Sequence, residues 1–246
     1  SCFVQNWFRS KKNAAKERLF LEKIKYDPAT KELAASPLLL TLLCLVFEDV
    51  GGFPSNRSEL YQNGIDVLLK KWDAKRNIER EQIYKGLSFK RKEDMLSQLA
   101  QVTFESGNYF FKRREAEKEI SKYIRNLPDS NLNTIELKLD SEAVVKSIEA
   151  QHGLLIERAH GIYSFSHLTF HEYFTARKIV NSCNPYSKDD YELNKLADQV
   201  FEKRWREVIL LTIGMLPSAG HLVLQMENRI RLLAKEEDVV NTILVE

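Results

Sequence analysis

Two histidines with helical spacing are the first residues that could do chemistry. In the stretch "YSFSHLTFHEYFTA", residues 163–176, His167 and His171 are four positions apart and could share one face of a helix. A zinc protease needs HExxH, with the glutamate directly after the first histidine, whereas Glu172 follows the second one. No third ligand can be assigned, and His160 is the nearest other histidine. We therefore predict no metal site.

The sequence contains no phosphate-binding loop. Neither GxxxxGK[ST] nor GxGxxG occurs, and the Gly51-Gly52 pair has no Lys-Ser/Thr after it. Cys44 lies in the apolar run "TLLCLVF", where burial raises the pKa of a thiol and makes it unreactive. No serine has the context of a nucleophile elbow. We therefore expect that this chain alone is not an enzyme.

Composition indicates a folded protein without a general affinity for nucleic acid or membranes. Of 246 residues, 43% are hydrophobic and 29% are charged, and 37 basic against 35 acidic residues give a net charge of +2. The apolar run at residues 37–47 has about half the length needed to cross a bilayer. Cys2, Cys44 and Cys183 are too far apart to indicate a disulfide framework or a zinc site. A reducing, cytoplasmic location fits this pattern best.

Helical spacing dominates the chain. Prolines that suit a first helical turn follow capping residues at Asp27-Pro28 and Ser36-Pro37, and Gly51-Gly52 is a stop signal for the helix that Pro37 begins. Four helices are marked by residues at i, i+4, i+7 and in most cases i+11: Tyr61, Ile65, Leu68 and Trp72; Met95, Leu99 and Val102; Ala116, Ile120, Tyr123 and Leu127; Trp205, Ile209, Thr212 and Leu216.

Strand signals are few and short. They are residues 109–111 and the runs 154–157 and 162–165, which flank a turn at residues 159–161. From residue 88 to 165 the predicted order is helix, short strand, helix, helix, hairpin, which is the order of a winged helix. We therefore predict a mainly α fold, in which a helical domain is followed by a winged-helix domain with a small β-hairpin wing and then by further helices.

Three domains are predicted from this order. Residues 1–78 form a helical domain, and residues 79–182 form the winged-helix domain together with the helix that begins near His167. Residues 183–246, which begin with the polar linker 184–190, form the start of a C-terminal helical region. The sequence begins "SCFVQNWF", without Met, and its last helices have no evident end, so we expect the chain to be part of a longer protein.

Winged helices often bind DNA, which is the main alternative function. The helix that would enter the major groove spans residues 141–152, and its outward positions are expected to carry Glu142, Lys146 and Glu149. Two carboxylates would repel phosphates, and the wing tip offers only Arg158 and a histidine. These residues argue against a nucleic-acid partner. A free-standing winged-helix DNA-binding regulator stays the alternative, and a purely structural helical adaptor is a third possibility.

His167 stands where the hairpin ends and the next helix begins. Backbone N–H groups point outward at such a place and favour an anion, so a histidine there could donate a hydrogen bond to a phosphate. On position alone, His167 could equally well cap the turn. Thr169 with Glu172 has capping-box spacing, and Ser166 is an alternative cap. The apolar residues nearby are expected in the core: Phe165, Leu168, Phe170, Tyr173 and Phe174.

Two motifs resemble a known family. Residues 163–180, "YSFSHLTFHEYFTARKIV", resemble the F-x-H-x-x-F-Q-E-Y/F-x-A-A signature in the winged-helix domain of NACHT-type NTPases. These are signalling ATPases of the STAND class, common in cyanobacteria and other bacteria. Residues 31–76, with "SPLLLTLLC", are similar to the first helical domain of that family, where L-x-x-N-P-L-L-L-x-x-L-C is typical. The order of the two motifs is the family's order, and the resemblance spans nearly the whole chain.

The resemblance implies a nucleotide switch. A nucleotide-binding domain would precede residue 1 in the parent protein and bind ADP or ATP with Mg, and the parent would be an ATPase. His167 matches the histidine that contacts the phosphates of ADP in the closed, inactive form, and Pro37 matches the proline that lies against the adenine. Exchange of ADP for ATP would release the winged helix and lead to a homo-oligomer. Bacterial members are often linked to defence against phage.

Two positions depart from the family pattern. His171 stands where the family usually has Gln, and Ser36 precedes Pro37 where Asn or Gly is common. We interpret His171 as an accessory polar contact or a surface substitution, and we prefer the latter.

Overall fold

The computed structural model describes residues 2–11, 13–54, 56–73, 88–127, 141–146, 148–149 and 153–243. The chain divides into two compact units, Ser1–Ile78 and Glu79–Glu246. The described residues are mainly helical, with a three-stranded antiparallel sheet in the second unit, which confirms the predicted fold class. Among these residues, no helix is both long and apolar enough to cross a bilayer. The separation of residues 79–182 from 183–246 stays a prediction.

Two helices of the first unit begin at the predicted prolines, Pro28 and Pro37. The helices of this unit are α1 (Cys2–Ser10), α2 (Ala14–Tyr26), α3 (Pro28–Leu33), α4 (Pro37–Val50) and α5 (Arg57–Asp73). Gly51 ends α4 with a φ of 77°, which glycine adopts without strain. The Asp27 carboxylate accepts the N–H of Thr30 at 3.2 Å and caps α3. Ser36 is the N-cap of α4 by position, but its side chain makes no cap hydrogen bond, so that predicted contact is wrong.

An aromatic cluster fills the interior of the first unit. It consists of Phe8, Phe20, Phe47 and Phe53, whose contacting rings have centroids between 5.0 and 6.3 Å apart. Tilted and edge-on pairs of this kind are favourable beyond the area that they bury. Cys44 lies on the same helix as Phe47, and burial raises the pKa of its thiol to about 12, which confirms the expected unreactive environment.

The second unit has the topology of a winged helix followed by further helices. Its described elements are α6 (Phe89–Glu105), β1 (Phe111–Lys112), α7 (Arg113–Arg125), helical residues 141–146 and 148–149, β2 (Leu155–Ala159), β3 (Ile162–Phe165), α8 (Leu168–Ser182), α9 (Tyr191–Ala197), a 3-10 turn (Lys203–Trp205), α10 (Arg206–Met215) and α11 (Gly220–Ile243). The strand order is β1-β3-β2, with both pairs antiparallel. The predicted order of elements is therefore confirmed.

The first strand of the sheet has only two residues, and the next helix begins directly after it. Gly107, with a φ of 71°, turns the chain after α6, and strand β1 occupies 111–112 instead of the predicted 109–111. The N–H of Lys112 donates to the Glu115 carboxylate at 3.1 Å, which closes the first turn of α7. In the hairpin, Gly161 has a φ of 72° and makes the turn between β2 and β3.

His171 belongs to the core and joins α8 to α6. Its Nε2 lies 2.9 Å from the Thr103 hydroxyl and 3.0 Å from the carbonyl oxygen of Ala100, and its ring stacks on Phe165 at 4.6 Å. Only 1% of the residue is exposed. The interpretation of His171 as a surface substitution is therefore wrong.

The residue at which α8 begins explains this error and a second one, which concerns Leu168. The N-cap is His167, not Ser166 or Thr169, so the helix begins at Leu168. Phe165, Phe170, Tyr173 and Phe174 are buried as predicted, whereas Leu168 is 53% exposed and its predicted place in the core is wrong. The spacing alone does not determine which residue of the first turn points outward, because that depends on where the helix starts.

The C-terminal helices are attached to the end of α6. Arg204 donates hydrogen bonds to the carbonyl oxygens of Phe104 and Glu105 at 2.8 and 3.3 Å, and these carbonyls lie in the last turn of α6, where helical partners run out. Lys195 pairs with Glu105 at 2.7 Å, and Trp205 packs edge-on against Phe104 with centroids 5.0 Å apart. In addition, α10 packs on α8, and α11 packs on α9.

Gly64 in α5 gives a test of the packing in the first unit. A Cβ at this position would lie 2.8 Å from Leu42 Cδ2, and Leu42 is buried in α4. Overpacking costs roughly 1–3 kcal/mol, and the helix propensity of alanine offsets about 1 kcal/mol of it. We expect Gly64→Ala to lower the free energy of unfolding by about 1 kcal/mol, measured by urea denaturation. Gly52→Ala is the matched control, because nothing lies within 4 Å of its Cβ position.

His171 predicts a pH dependence of stability. Burial lowers its pKa from 6.5 to about 4, although the hydrogen bond to Ala100 favours the charged form. Between these values the unfolded chain binds more protons than the folded chain, so the free energy of unfolding decreases as the pH falls from about 6.5 to about 4. At about 1.36 kcal/mol per pKa unit, we expect a loss of about 2 kcal/mol between pH 7.5 and pH 5 from this residue.

Denaturant unfolding at the two pH values measures this contribution. His171→Gln removes the titrating group but keeps an amide that can bond at the same place, so its loss of stability should be smaller than that of the wild type by about 2 kcal/mol. His160→Gln, on the exposed hairpin turn, is the matched control and should behave as the wild type. An equal pH dependence in wild type and His171→Gln would contradict the prediction.

Candidate functional site

His167 lies at the junction of the hairpin and α8 with its side chain exposed. Its backbone is extended, with φ −131° and ψ 140°, and its carbonyl oxygen accepts the N–H of Phe170 at 3.1 Å. The imidazole makes no cap hydrogen bond, and its ring sits edge-on to Phe170 with centroids 6.1 Å apart. The turn is thus capped by the His167 backbone and not by its ring. A contact of the ring with phosphate stays a prediction.

Leu154, directly before β2, and Arg158 of β2 hold the residue before His167 in place. The N–H of Ser166 donates to the carbonyl oxygen of Leu154 at 2.8 Å, and the Ser166 carbonyl accepts from Arg158 Nη2 at 3.1 Å. Arg158 Nε also donates to the Ser164 hydroxyl at 2.9 Å. These bonds fix the backbone that carries His167, so the imidazole projects from a well-supported position.

The electrostatic surroundings of His167 favour an anion. The first turn of α8 contains no acidic side chain, and the N–H groups at a helix N-terminus carry a partial positive charge. The Arg158 guanidinium, bonded to the adjacent Ser166 carbonyl, adds a cation at the same junction. The sequence predicts Arg158 only as a basic residue at the wing tip. Its role in supporting the junction could not be predicted, because it depends on how the hairpin strands pair.

His167 and His171 do not share a face of the helix. One ring is exposed and the other is buried between α8 and α6, because His167 precedes the helix in extended backbone. The possibility that the two rings face the same way is therefore wrong. In the part of the chain that the structure describes, no three His, Cys, Asp or Glu side chains are placed to hold a metal ion.

The hairpin is tied to its neighbours by an internal charge network. Glu149 accepts hydrogen bonds from the N–H of Glu157 at 3.3 Å and from the Tyr163 hydroxyl at 3.1 Å. Arg113 pairs with Glu157 at 3.3 Å. The hydrogen bond from the N–H of Gly161 lowers the pKa of Glu157, and Arg113 lowers it further. The prediction that Glu149 points outward from a DNA-reading helix is therefore wrong.

The remaining predicted DNA-reading residues pair with each other. Lys146 Nζ lies 3.0 Å from the Glu142 carboxylate on the helical segment at 141–149, whose residue 147 lies outside the described part. His152, at the end of the predicted reading helix, also lies outside the described residues. The described surface of this segment thus presents one exposed ion pair and no arginine or asparagine that could read bases.

Pro37 lies in the first unit. It is the first residue of α4, it is exposed, and its carbonyl oxygen accepts the Thr41 hydroxyl at 2.9 Å. Proline suits this position because a first-turn N–H would have no helical partner. Pro37 and His167 therefore lie in different compact units, each at the N-terminus of a helix.

Comparison with known proteins connects these features to one family. A family model described as "Winged helix-turn-helix domain C-terminal to NACHT" matches residues 57–179, from the start of α5 into α8, and this range includes His167. A search of curated proteins finds no match. The matched range covers half of the chain and contains the whole observed winged-helix topology. The chain thus belongs to the family of winged helix-turn-helix domains that lie C-terminal to NACHT.

Proposed function

We propose that this chain is the regulatory helical and winged-helix portion of a NACHT-type signalling ATPase. In this role it holds ADP in a closed state and gates the formation of an active homo-oligomer, in signal transduction or defence against phage. The observation that carries the proposal is the exposed imidazole of His167 at the N-terminus of α8, in the region that matches the NACHT-associated family.

The chemistry of the junction suits a diphosphate. Helix N-termini bind phosphates through backbone N–H groups, and an imidazole or guanidinium adds charge-assisted hydrogen bonds. His167 supplies an imidazole that no cap hydrogen bond engages, and Arg158 supplies a cation through its bond to Ser166. ADP or ATP with Mg would itself be held mainly by a nucleotide-binding domain of the parent protein, which is the first partner of this chain.

Contacts from His167 and Pro37 to the nucleotide would make the closed state depend on which nucleotide is bound. Because ADP and ATP differ at the phosphate end, they would stabilise the closed state to different extents, as a ligand-driven population shift requires. The chain would then regulate without taking part in hydrolysis, and the parent protein would act in the cytoplasm.

The DNA-binding alternative has less support from the described residues. Glu149 is engaged with the hairpin, and Lys146 pairs with Glu142. Among its described residues, the predicted DNA-reading helix therefore carries no unpaired cation for phosphates.

Replacement of His167 tests the proposed nucleotide contact. In the parent protein, purified with bound ADP, we expect His167→Ala to release ADP at least tenfold faster, because a charge-assisted hydrogen bond to phosphate contributes about 1.5–3 kcal/mol. The measurement is the dissociation rate of a fluorescent ADP analogue. His160→Ala, on the exposed hairpin turn, is the matched control and should leave the rate unchanged. An unchanged rate for His167→Ala would remove the assigned role.

A mobility-shift experiment separates the proposal from the DNA-binding alternative. We expect the chain to form no complex with duplex DNA of about 30 base pairs at roughly physiological salt, because non-specific affinity depends on unpaired cations. A complex that weakens steeply with added salt and with Lys146→Ala would instead favour the free-standing DNA-binding regulator.

A further inference from the structure

A polar groove of about 410 Å³ lies between α6, α7 and α8 of the second unit. Volumes of this size are typical of sites for small molecules. The residues that give the groove its chemistry are Lys90, Asp94 and Gln98 from α6, Tyr123 from α7, and Lys178 and Asn181 from α8. His167 does not line the groove.

Helical spacing brings these side chains to one place. Lys90, Asp94 and Gln98 recur every fourth residue and therefore lie along one face of α6, and Lys178 and Asn181 are one turn apart on α8. Both α7 and α8 pack against α6, so the three helices form the walls of the groove. All six positions lie within described helices.

Two lining residues, Asp94 and Ser97, belong to an ionic cluster around Arg177. Arg177 donates to the Asp94 carboxylate at 2.7 Å, to the Glu93 carboxylate at 2.9 Å and to the Ser97 hydroxyl at 3.2 Å. Only 12% of the Arg177 side chain is exposed. Because Arg177 balances Asp94, the acidic group in the lining does not by itself make the groove a cation site.

The other polar groups of the lining have no partner among the described residues. No hydrogen bond or ion pair engages Lys90, Lys178, Gln98, Asn181 or the Tyr123 hydroxyl in the part of the chain that the structure describes. Burial raises the pKa of Tyr123, and the nearby Asp94 raises it further, so the phenol stays protonated. The groove therefore presents two ammonium groups, one phenol O–H and two amide groups that can donate hydrogen bonds.

We propose that this groove binds a small molecule that carries an oxyanion group, either phosphoryl or carboxylate. Lys90 and Lys178 would pair with the charged oxygens, and the Tyr123 hydroxyl would donate a hydrogen bond to them. The balance of charges in and beside the groove favours an anion. Three cations, Lys90, Lys178 and Arg177, outnumber the two carboxylates of Glu93 and Asp94. Charge-assisted hydrogen bonds from such donors are the stronger class. The site is independent of the nucleotide contact proposed for His167.

Titration of the full chain with simple anions tests the proposal. The probes are inorganic phosphate and citrate, added at constant ionic strength with chloride, and the readout is the NMR signal of ring-labelled tyrosines, with Tyr123 assigned through Tyr123→Phe. We expect a saturable shift of the Tyr123 signal, and at least tenfold weaker binding in the Lys90→Ala/Lys178→Ala variant. A response to phosphate alone or citrate alone distinguishes a phosphoryl ligand from a carboxylate ligand.

Two further variants control for charge. Lys118 and Lys203 are exposed lysines outside the groove, so Lys118→Ala/Lys203→Ala changes net charge equally and should leave the affinity unchanged. Asp94→Asn removes a carboxylate from the lining and should tighten anion binding. The proposal is overturned if no saturable shift occurs, if the two double variants weaken binding equally, or if Asp94→Asn weakens binding, as expected for a cation site.

Discussion

One buried imidazole determines how α8 sits in the second unit. His171 bonds to Thr103 and Ala100 of α6 and stacks on Phe165 of β3, so a rotation of α8 would leave buried polar groups without partners. Burial keeps this ring neutral, since its pKa is lowered to about 4. The chain enters α8 in extended backbone at His167, and with the helix held in this phase the first imidazole is exposed while the second is sealed in the core. The exposure of the proposed nucleotide contact thus follows from the contact of a different histidine.

Helix α6 is the common support of this arrangement. Near its start, Glu93 and Asp94 bind Arg177 of α8, and further along Thr103 meets His171. At its end, Arg204 bonds the last-turn carbonyls and connects the C-terminal helices. Each anchor is a polar group with a defined partner, and such contacts specify one orientation more strongly than apolar packing does. The oxyanion groove opens on the same helix, which places both proposed sites on elements that α6 holds together.

The charged side chains of the hairpin bond to groups within the same domain. Glu149 and Glu157 accept hydrogen bonds from Tyr163, Arg113 and the hairpin backbone, and Arg158 supports the strand that leads to α8. A winged helix can serve as a DNA reader or as a regulatory module, because fold does not determine function. Here the charges stabilise the junction that carries His167, which suits a module that contacts a ligand through its edge.

The sequence by itself determined the order of the elements, since proline, glycine and helical spacing act locally: α3 and α4 begin at the predicted prolines, Gly51 ends α4, and the hairpin turns at Gly161. The signature around His167 likewise indicates the family and the candidate residue, because it lies within one continuous segment of the chain.

Tertiary structure alone decided which side of α8 faces inward, so that Leu168 is exposed and His171 is buried, contrary to the sequence prediction. It also directed Glu149 toward the hairpin and brought three helices together around the groove. The physical reason is that helix phase and side-chain partners depend on contacts between residues far apart in the chain, and a pattern within one segment carries no information about those partners.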